Sequence, residues 1–165
     1  MVYIMGKSMK QKVIDFNKIE DFADQLHAEG KRIVFTNGCF DIIHSGHVRY
    51  LKDASNLGDI LILGLNSDSS VKRLKGSERP INSEEDRLIV LSALEMIDYL
   101  VVFEEDTPLS LIEKIRPNVI VKGGDWSVEQ IVGSDFVISN GGTVRSLPYH
   151  QGRSTTEIID KINKL

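Results

Sequence analysis

Cysteine is nearly missing from this chain. Cys39 stands alone, so no internal disulfide can form, and a lone thiol suits a reducing compartment. An excess of basic charge is missing too. The 20 Lys and Arg face 24 Asp and Glu, for a formal net charge of −4, which argues against the basic stripe of a nucleic-acid-binding surface. Long apolar runs are absent as well. Leu88–Leu91 and Leu100–Phe103 are far short of the ~20 residues a membrane helix needs. The first ten residues hold no apolar core of the kind that makes a signal peptide. No internal repeat, low-complexity stretch or Pro/Gly/Ser linker interrupts the sequence. These absences lead to the expectation of one cytoplasmic domain over residues 1–165, with 1–16 as a flexible or peripheral segment.

What is present supports a self-sufficient fold. Apolar residues make up 41% and charged residues 27% of 165, an ordinary globular balance. A domain of this size buries about 70% of its unfolded surface and needs no covalent staple.

Periodicity supplies the elements. Ile19, Phe22, Ala23 and Leu26 mark an amphipathic helix over 18–29, ended by Gly30. A strand at Ile33–Phe35 leads to a turn through Asn37-Gly38, and a helix follows from about His47 to Asn56. Ile60–Leu65 is nearly continuous in apolar residues, as in a strand covered on both faces. A segment with Lys72, Arg73, Lys75 and Arg79 reads as mobile. A helix then opens at Ser83 with Leu88, Leu91 and Leu94. Further strands fall at Tyr99–Phe103, Val119–Val121 and Thr143–Leu147. Helices are expected from Thr107-Pro108 to Ile115, somewhere within 127–140, and at the C-terminal end. Strands alternating with helices imply a Rossmann-like, doubly wound parallel sheet of five strands with helices on both faces. Ligands of such sheets bind beyond the strand C-termini where the winding reverses. A reversal between the first and fourth strands brings the Asn37–His47 and Lys122–Trp126 loops together.

Those loops carry the chemistry. In Thr36-Asn37-Gly38-Cys39-Phe40-Asp41-Ile42-Ile43-His44-Ser45-Gly46-His47, Gly38 permits a tight path and Gly46 leaves room for a phosphate. The helix that opens there offers free N–H groups to an anion. His44 and His47 add two imidazoles. A packing or capping role is the ordinary reading of one histidine, but two around a glycine after a strand favour phosphate. Zinc ranks lower, because a structural site usually takes four N/S ligands and only Cys39, His27 and His150 remain to complete it. Gly152-Arg153-Ser154-Thr155-Thr156-Glu157 has the Ser154/Glu157 spacing of a capping box, and Arg153 with the hydroxyls also fits an anion. Lys122-Gly123-Gly124-Asp125-Trp126 joins a mobile cation to a close backbone approach. Asn66, Asp68, Lys75 and Arg79 lie on the ligand side after the second strand. A run of charges is usually a solvated face, but this position favours anion contact.

The string Gly38-Cys39-Phe40-Asp41-x-x-His44-x-Gly46-His47 resembles the cytidylyltransferase-like nucleotidyltransferase superfamily, with its H-x-G-H signature. Within that superfamily, the chain from about 18 to 164 resembles the bacterial D-glycero-β-D-manno-heptose 1-phosphate adenylyltransferases. Asn66-Ser67-Asp68, Lys72-Arg73-Leu74-Lys75-Gly76, Arg79-Pro80, Phe103–Pro108, Val121–Asp125 and Ser154-Thr155-Thr156 carry this closer likeness. The resemblance implies an enzyme that joins ATP to the sugar 1-phosphate and releases pyrophosphate, for a lipopolysaccharide or surface-glycan precursor. It implies His44, His47, Lys122 and Arg153 as catalytic groups. Thr36, Asn37, Gly38, Cys39, Phe40, Gly46, Gly124, Asp125, Ser154, Thr155 and Thr156 would bind nucleotide. Asp41, Asn66, Asp68, Lys75 and Arg79 would hold the sugar phosphate. Mg²⁺ is the expected cofactor, held mainly by phosphates. A sugar kinase domain often precedes this family and is not seen here, so a stand-alone form is expected. Many fused relatives have Cys where Arg153 stands. Alternatives are a glycerol-3-phosphate cytidylyltransferase, an FAD-forming adenylyltransferase or a nucleotide sensor without turnover. The apolar stretch Leu88–Ile97 fits either a homo-oligomer surface or a buried helix.

Overall fold

The computed structural model describes residues 9–124, 126–148 and 155–165. Chain order begins with a short helix α1 (Met9–Lys12) and α2 (Ile19–Ala28). It continues through β1 (Ile33–Gly38), α3 (Ser45–Ser55), β2 (Ile60–Asn66), α4 (Asp68–Lys75), α5 (Glu84–Ser92), β3 (Tyr99–Phe103) and α6 (Leu109–Ile115). It closes with β4 (Val119–Gly123), a 3₁₀ turn at Val128–Gln130, α7 (Ser134–Ser139), β5 (Thr143–Leu147) and α8 (Thr155–Ile162).

The five strands form one parallel sheet in the order β3-β2-β1-β4-β5. The chain winds outward from β1 to β3, then crosses to β4 and β5. The reversal therefore lies between β1 and β4. Alternation along each strand feeds two cores. Ile33, Phe35, Ile62, Val101 and Ile120 meet α2, α6 and α7 on one face. Val34, Leu61, Leu63, Leu100 and Val121 meet α3 and α5 on the other.

Several boundaries differ from the sequence expectation, each for a local reason. Asn37-Gly38 is strand rather than turn, because both residues stay in register with Gly64 and Leu65 of β2. The helix after it opens at Ser45, with His44 at the N-cap position. Of the segment read as mobile, Lys72, Arg73 and Lys75 belong to helix α4, started by the Ser67 side chain accepting from Ser70 N–H and anchored by buried Val71, while Arg79 lies beyond its end. Ser83 caps α5 by accepting from Asp86 N–H. Pro108, rather than Thr107, takes the N-cap position of α6. Of the segment 1–16, α1 packs against α5 and the residues after it reach the sheet edge at β3. Val13 bridges Leu100, Ile14 N–H donates to the Leu100 carbonyl at 2.9 Å, and Phe16 packs on the core. Among the described residues no helix is long and apolar enough to cross a membrane.

Candidate functional site

The C-terminal ends of β1 and β4 diverge over two cavities that share a wall of Asn37, Gly38, Cys39, Phe40, His47 and Lys122. The smaller, about 170 Å³, is completed by His44, Gly46, Tyr50, Gly123 and Pro148. The larger, about 600 Å³, extends past Asp41, Asn66, Lys75 and Arg79 towards Trp126, Thr155 and Thr156.

The floor is built from the loop after β1. Phe40 adopts φ 45°, a left-handed conformation that is strained for an aromatic residue. Its ring folds back so closely that a Cβ on Gly38 would lie 2.9 Å from it. Any larger residue at 38 would displace the ring. His47, in the first turn of α3, tilts against Phe40 with centroids 5.2 Å apart. His44 stacks on His47 at 3.8 Å and 26°. The two rings thus stand together where α3 presents its unbonded N–H groups and its positive dipole end.

Electrostatics tune this stack. Burial, and then the charge of His44, lower the His47 pKa from 6.5 to about 4, so His47 is neutral at pH 7. Its buried Nδ1 has no hydrogen-bond partner among the described residues. A neutral ring keeps one N–H to donate. Across the cavity, Lys122 Nζ reaches the Asn37 Oδ1 at 3.3 Å and the Asn37 carbonyl at 3.5 Å. Burial pushes its ammonium down from the ordinary lysine range, Cys39 opposes that, and Lys75 adds to it. Burial also raises the Cys39 thiol, against the pull of Lys75, Arg87, Arg79 and Lys122. Four cations therefore converge on one loop.

A second layer fixes this frame. Asp41 is 3% exposed. It accepts from Arg79 Nε at 2.7 Å, from Ile81 N–H at 2.8 Å and from Asn82 N–H at 2.8 Å. Burial raises its carboxyl, but the Asn82 and Ile81 N–H groups and Arg79 outweigh that and hold it below 3.8. The Tyr50 hydroxyl lies 2.5 Å from Thr36 Oγ1 and donates to the Val121 carbonyl at 3.0 Å. It thereby ties β1 to β4 beneath the reversal. Its ring would sit 3.3 Å from a Cβ on Gly123, which explains a glycine there.

The expected site residues thus divide. Asn37, Gly38, Cys39, Phe40, His44, Gly46, His47 and Lys122 line the smaller cavity or its shared wall. Asn66, Lys75, Arg79, Thr155 and Thr156 join in the larger one. Thr36 does not reach either cavity: it is 1% exposed and its hydroxyl is engaged by Tyr50. Asp41 reaches the larger cavity with its carboxylate already taken by protein donors, so it serves the frame before any sugar hydroxyl. Asp68 is likewise turned to Arg87, at 2.8 Å. Gly124 takes φ 115° and donates its N–H to the Leu147 carbonyl at 3.0 Å, while Gly123 forms the wall. Asp125, Arg153 and Ser154 lie outside the described residues.

Sequence reading missed Tyr50 and Arg87. Tyr50 falls on an amphipathic helix one residue before Leu51. Arg87 shares a face with Leu91 and Leu94 by the i, i+4, i+7 rule, and that spacing was the available signal.

Comparison with known proteins agrees with this fold. A cytidylyltransferase-like family model matches residues 35–161. The bifunctional protein HldE of Geobacter sulfurreducens is 58% identical over 137 residues, covering 83% of this chain and 28% of that protein. The protein of the same name from Nitratiruptor is 53% identical over 148 residues, covering 90% and 31%. The chain therefore spans less than a third of the length of these relatives. Among solved structures, a lipopolysaccharide core biosynthesis protein from Thermoplasma volcanium matches with TM-score 0.59 and 28% identity, over 75% of this chain and 100% of that one. A pantoate-beta-alanine ligase from Francisella tularensis, complexed with a nucleotide and beta-alanine, matches with TM-score 0.58 over 93% of this chain and 78% of that one. At 15% identity it speaks for the fold alone. With the doubly wound sheet, the paired imidazoles at the start of α3 and the matched span all in agreement, the chain belongs to the cytidylyltransferase-like family.

Proposed function

We propose that this chain transfers the adenylyl group of ATP to D-glycero-β-D-manno-heptose 1-phosphate, giving ADP-heptose and pyrophosphate for a lipopolysaccharide or surface-glycan precursor. The observation that carries this reading is the His44–His47 stack at the N-terminus of α3, with Lys122 facing it across the β1/β4 divide. A phosphate oxygen of the sugar phosphate attacks the α-phosphorus in line. The bond from that phosphorus to the pyrophosphate oxygen breaks, and a new P–O–P bridge forms. No covalent enzyme intermediate is needed. Catalysis rests on positioning and on stabilising charge at the phosphates. His47 and His44 donate to the α- and β-phosphate oxygens, and Lys122 neutralises from the opposite wall. Lys75 and Arg79, in the lining of the larger cavity, would meet the acceptor phosphate. Thr155 and Thr156, at the start of α8, border the nucleotide.

Magnesium belongs to this reading as part of the substrate. Among the described residues no three His, Cys, Asp or Glu side chains converge as a cage. The carboxylates of Asp41 and Asp68 already face arginines. These residues do not fit a protein-held ion, whereas Mg²⁺ readily rides on phosphates with water completing its shell.

The test is a panel of nucleoside triphosphates against sugar phosphates and glycerol 3-phosphate, with products identified by mass. ADP-heptose and pyrophosphate from ATP are expected. A clear preference for CTP with glycerol 3-phosphate moves the chain to the cytidylyltransferases. Nucleotide binding with no pyrophosphate from any acceptor leaves a sensor.

A further inference from the structure

Arg87 is the largest fully buried side chain among the described residues, at 1% exposure. Its Nη1 donates to the Cys39 carbonyl at 2.7 Å and to the Asn66 carbonyl at 2.8 Å. Its Nη2 donates to Asp68 Oδ1 at 2.8 Å, and that carboxylate side chain is 40% exposed. Its Nε is buried without a hydrogen-bond partner among the described residues. A buried arginine whose carboxylate partner is half in water is a poor stabiliser compared with packed apolar residues. Its partners point to another role. They are the end of β1, the end of β2 and the start of α4, the three places where the sheet meets the cavities.

The Cys39 carbonyl matters most. It belongs to the peptide that joins Cys39 to Phe40. In a trans peptide the C=O and N–H point in opposite directions. Holding the carbonyl on Arg87 therefore turns the Phe40 N–H away from Arg87, in a residue that belongs to the wall shared by the two cavities. The same bond anchors the peptide just before the left-handed φ of 45° at Phe40, a conformation that persists only where its surroundings over-determine it. The Phe40 ring in turn supports His47.

We infer that Arg87 is a positioning residue for phosphoryl chemistry: by gripping the Cys39 carbonyl it holds Phe40 left-handed, and so aims the Phe40 N–H and the His47 ring at one triphosphate. It acts through that loop and does not touch substrate. The inference rests on the reading of the cavity as a nucleotide site.

The full-length chain carrying Arg87→Lys, Arg87→Met or Arg87→Ala tests it, with kcat, KM for ATP, and Tm measured for each. Folded variants should lose roughly 10- to 100-fold in kcat, the cost of a small misplacement of donors, while KM for ATP moves much less. Guanidinium at low millimolar concentration should restore about tenfold of the loss in Arg87→Ala and leave the parent chain unchanged. If Arg87→Ala does not fold, the kcat of Arg87→Lys decides. Variants that keep parental kcat and lose only Tm overturn the role, as does a kcat loss in Arg87→Ala that guanidinium does not repair. If the parent chain binds no ATP, the nucleotide reading falls and takes this role with it. If the parent turns over and the variants match it, this role alone falls.

Discussion

The two banks of the β1/β4 divide are built to different standards. On the β1–β2 bank, Asp41 gathers Arg79, Ile81 and Asn82, and the Asn82 side-chain amide donates to the Asp41 carbonyl as well. Arg87 pins three further oxygens. On the β4–β5 bank, Lys122 makes long contacts of 3.3 and 3.5 Å to Asn37. The chain beyond it runs through Gly123 and Gly124 to a Trp126 that is 48% exposed. Where charge must be stabilised as it develops, donors need to be in place beforehand, since reorganising them costs rate. Where a ligand only has to be admitted, a mobile ammonium on a long stem is enough. The contrast separates a fixed bank, where the proposed function puts the phosphates, from an adaptable bank facing it.

The largest effect that would sharpen this contrast lies on the fixed bank. His47→Ala should lower kcat by about 100-fold or more, equivalent to ~3 kcal/mol, with the fold intact by circular dichroism. Near-parental pyrophosphate release from the folded variant would break the assignment. Next comes the frame beneath it. Asp41→Asn should cost about 2 kcal/mol in urea unfolding, because Arg79 is left partly buried without its counter-charge. The sign with pH follows from a folded-state pKa held below 3.8. The Asp41 contribution is complete above that value and is lost as pH falls through the lower folded-state value. The variant should therefore show a flatter decline in stability below pH ~4.

On the adaptable bank the prediction splits in two. Lys122→Met should reduce kcat by about tenfold, the scale of one hydrogen bond to a charged group. Tm should hold or rise, because a desolvated ammonium is removed. Loss of both activity and Tm would mean that this bank is as rigid as the other. The smallest effect belongs to the tie between the banks. Tyr50→Phe should cost about 1 kcal/mol of stability, read from denaturant midpoints. An unchanged midpoint would mean that its bonds to Thr36 and Val121 do not hold β1 to β4.

The sequence made the sheet legible because its signals are local. Ile60–Leu65 reads as a strand covered on both faces, and Thr143–Leu147 matches its observed bounds. A reversal between the first and fourth strands, supposed from the sequence because it joins two glycine-rich loops, is the one the sheet order shows. What stayed hidden depends on contacts across the chain. Asn37-Gly38 has turn composition, but its pairing with β2 is set by residues 27 positions away in sequence, at Gly64 and Leu65. Lys72, Arg73, Lys75 and Arg79 look like a solvated run of charge, whereas the Ser67 cap and buried Val71 place the first three in a helix. An arginine beside leucines reads as a surface residue until the carbonyls of Cys39 and Asn66 are seen to meet it. The cavity lining was legible at His44, His47 and Lys122, where chemistry and motif coincide. It was obscure at Asp41 and Thr36, whose polar atoms turn out to be engaged from beneath.

The stacked imidazoles carry a thermodynamic consequence of their own. A ring whose pKa burial and His44 hold near 4 gains proton affinity when a polyanion lies against it. On the proposed reading, ATP binding draws proton density onto this ring to the extent that the phosphates raise its pKa. The calorimetric heat of binding will track the ionisation enthalpy of the buffer, and affinity will strengthen on mild acidification.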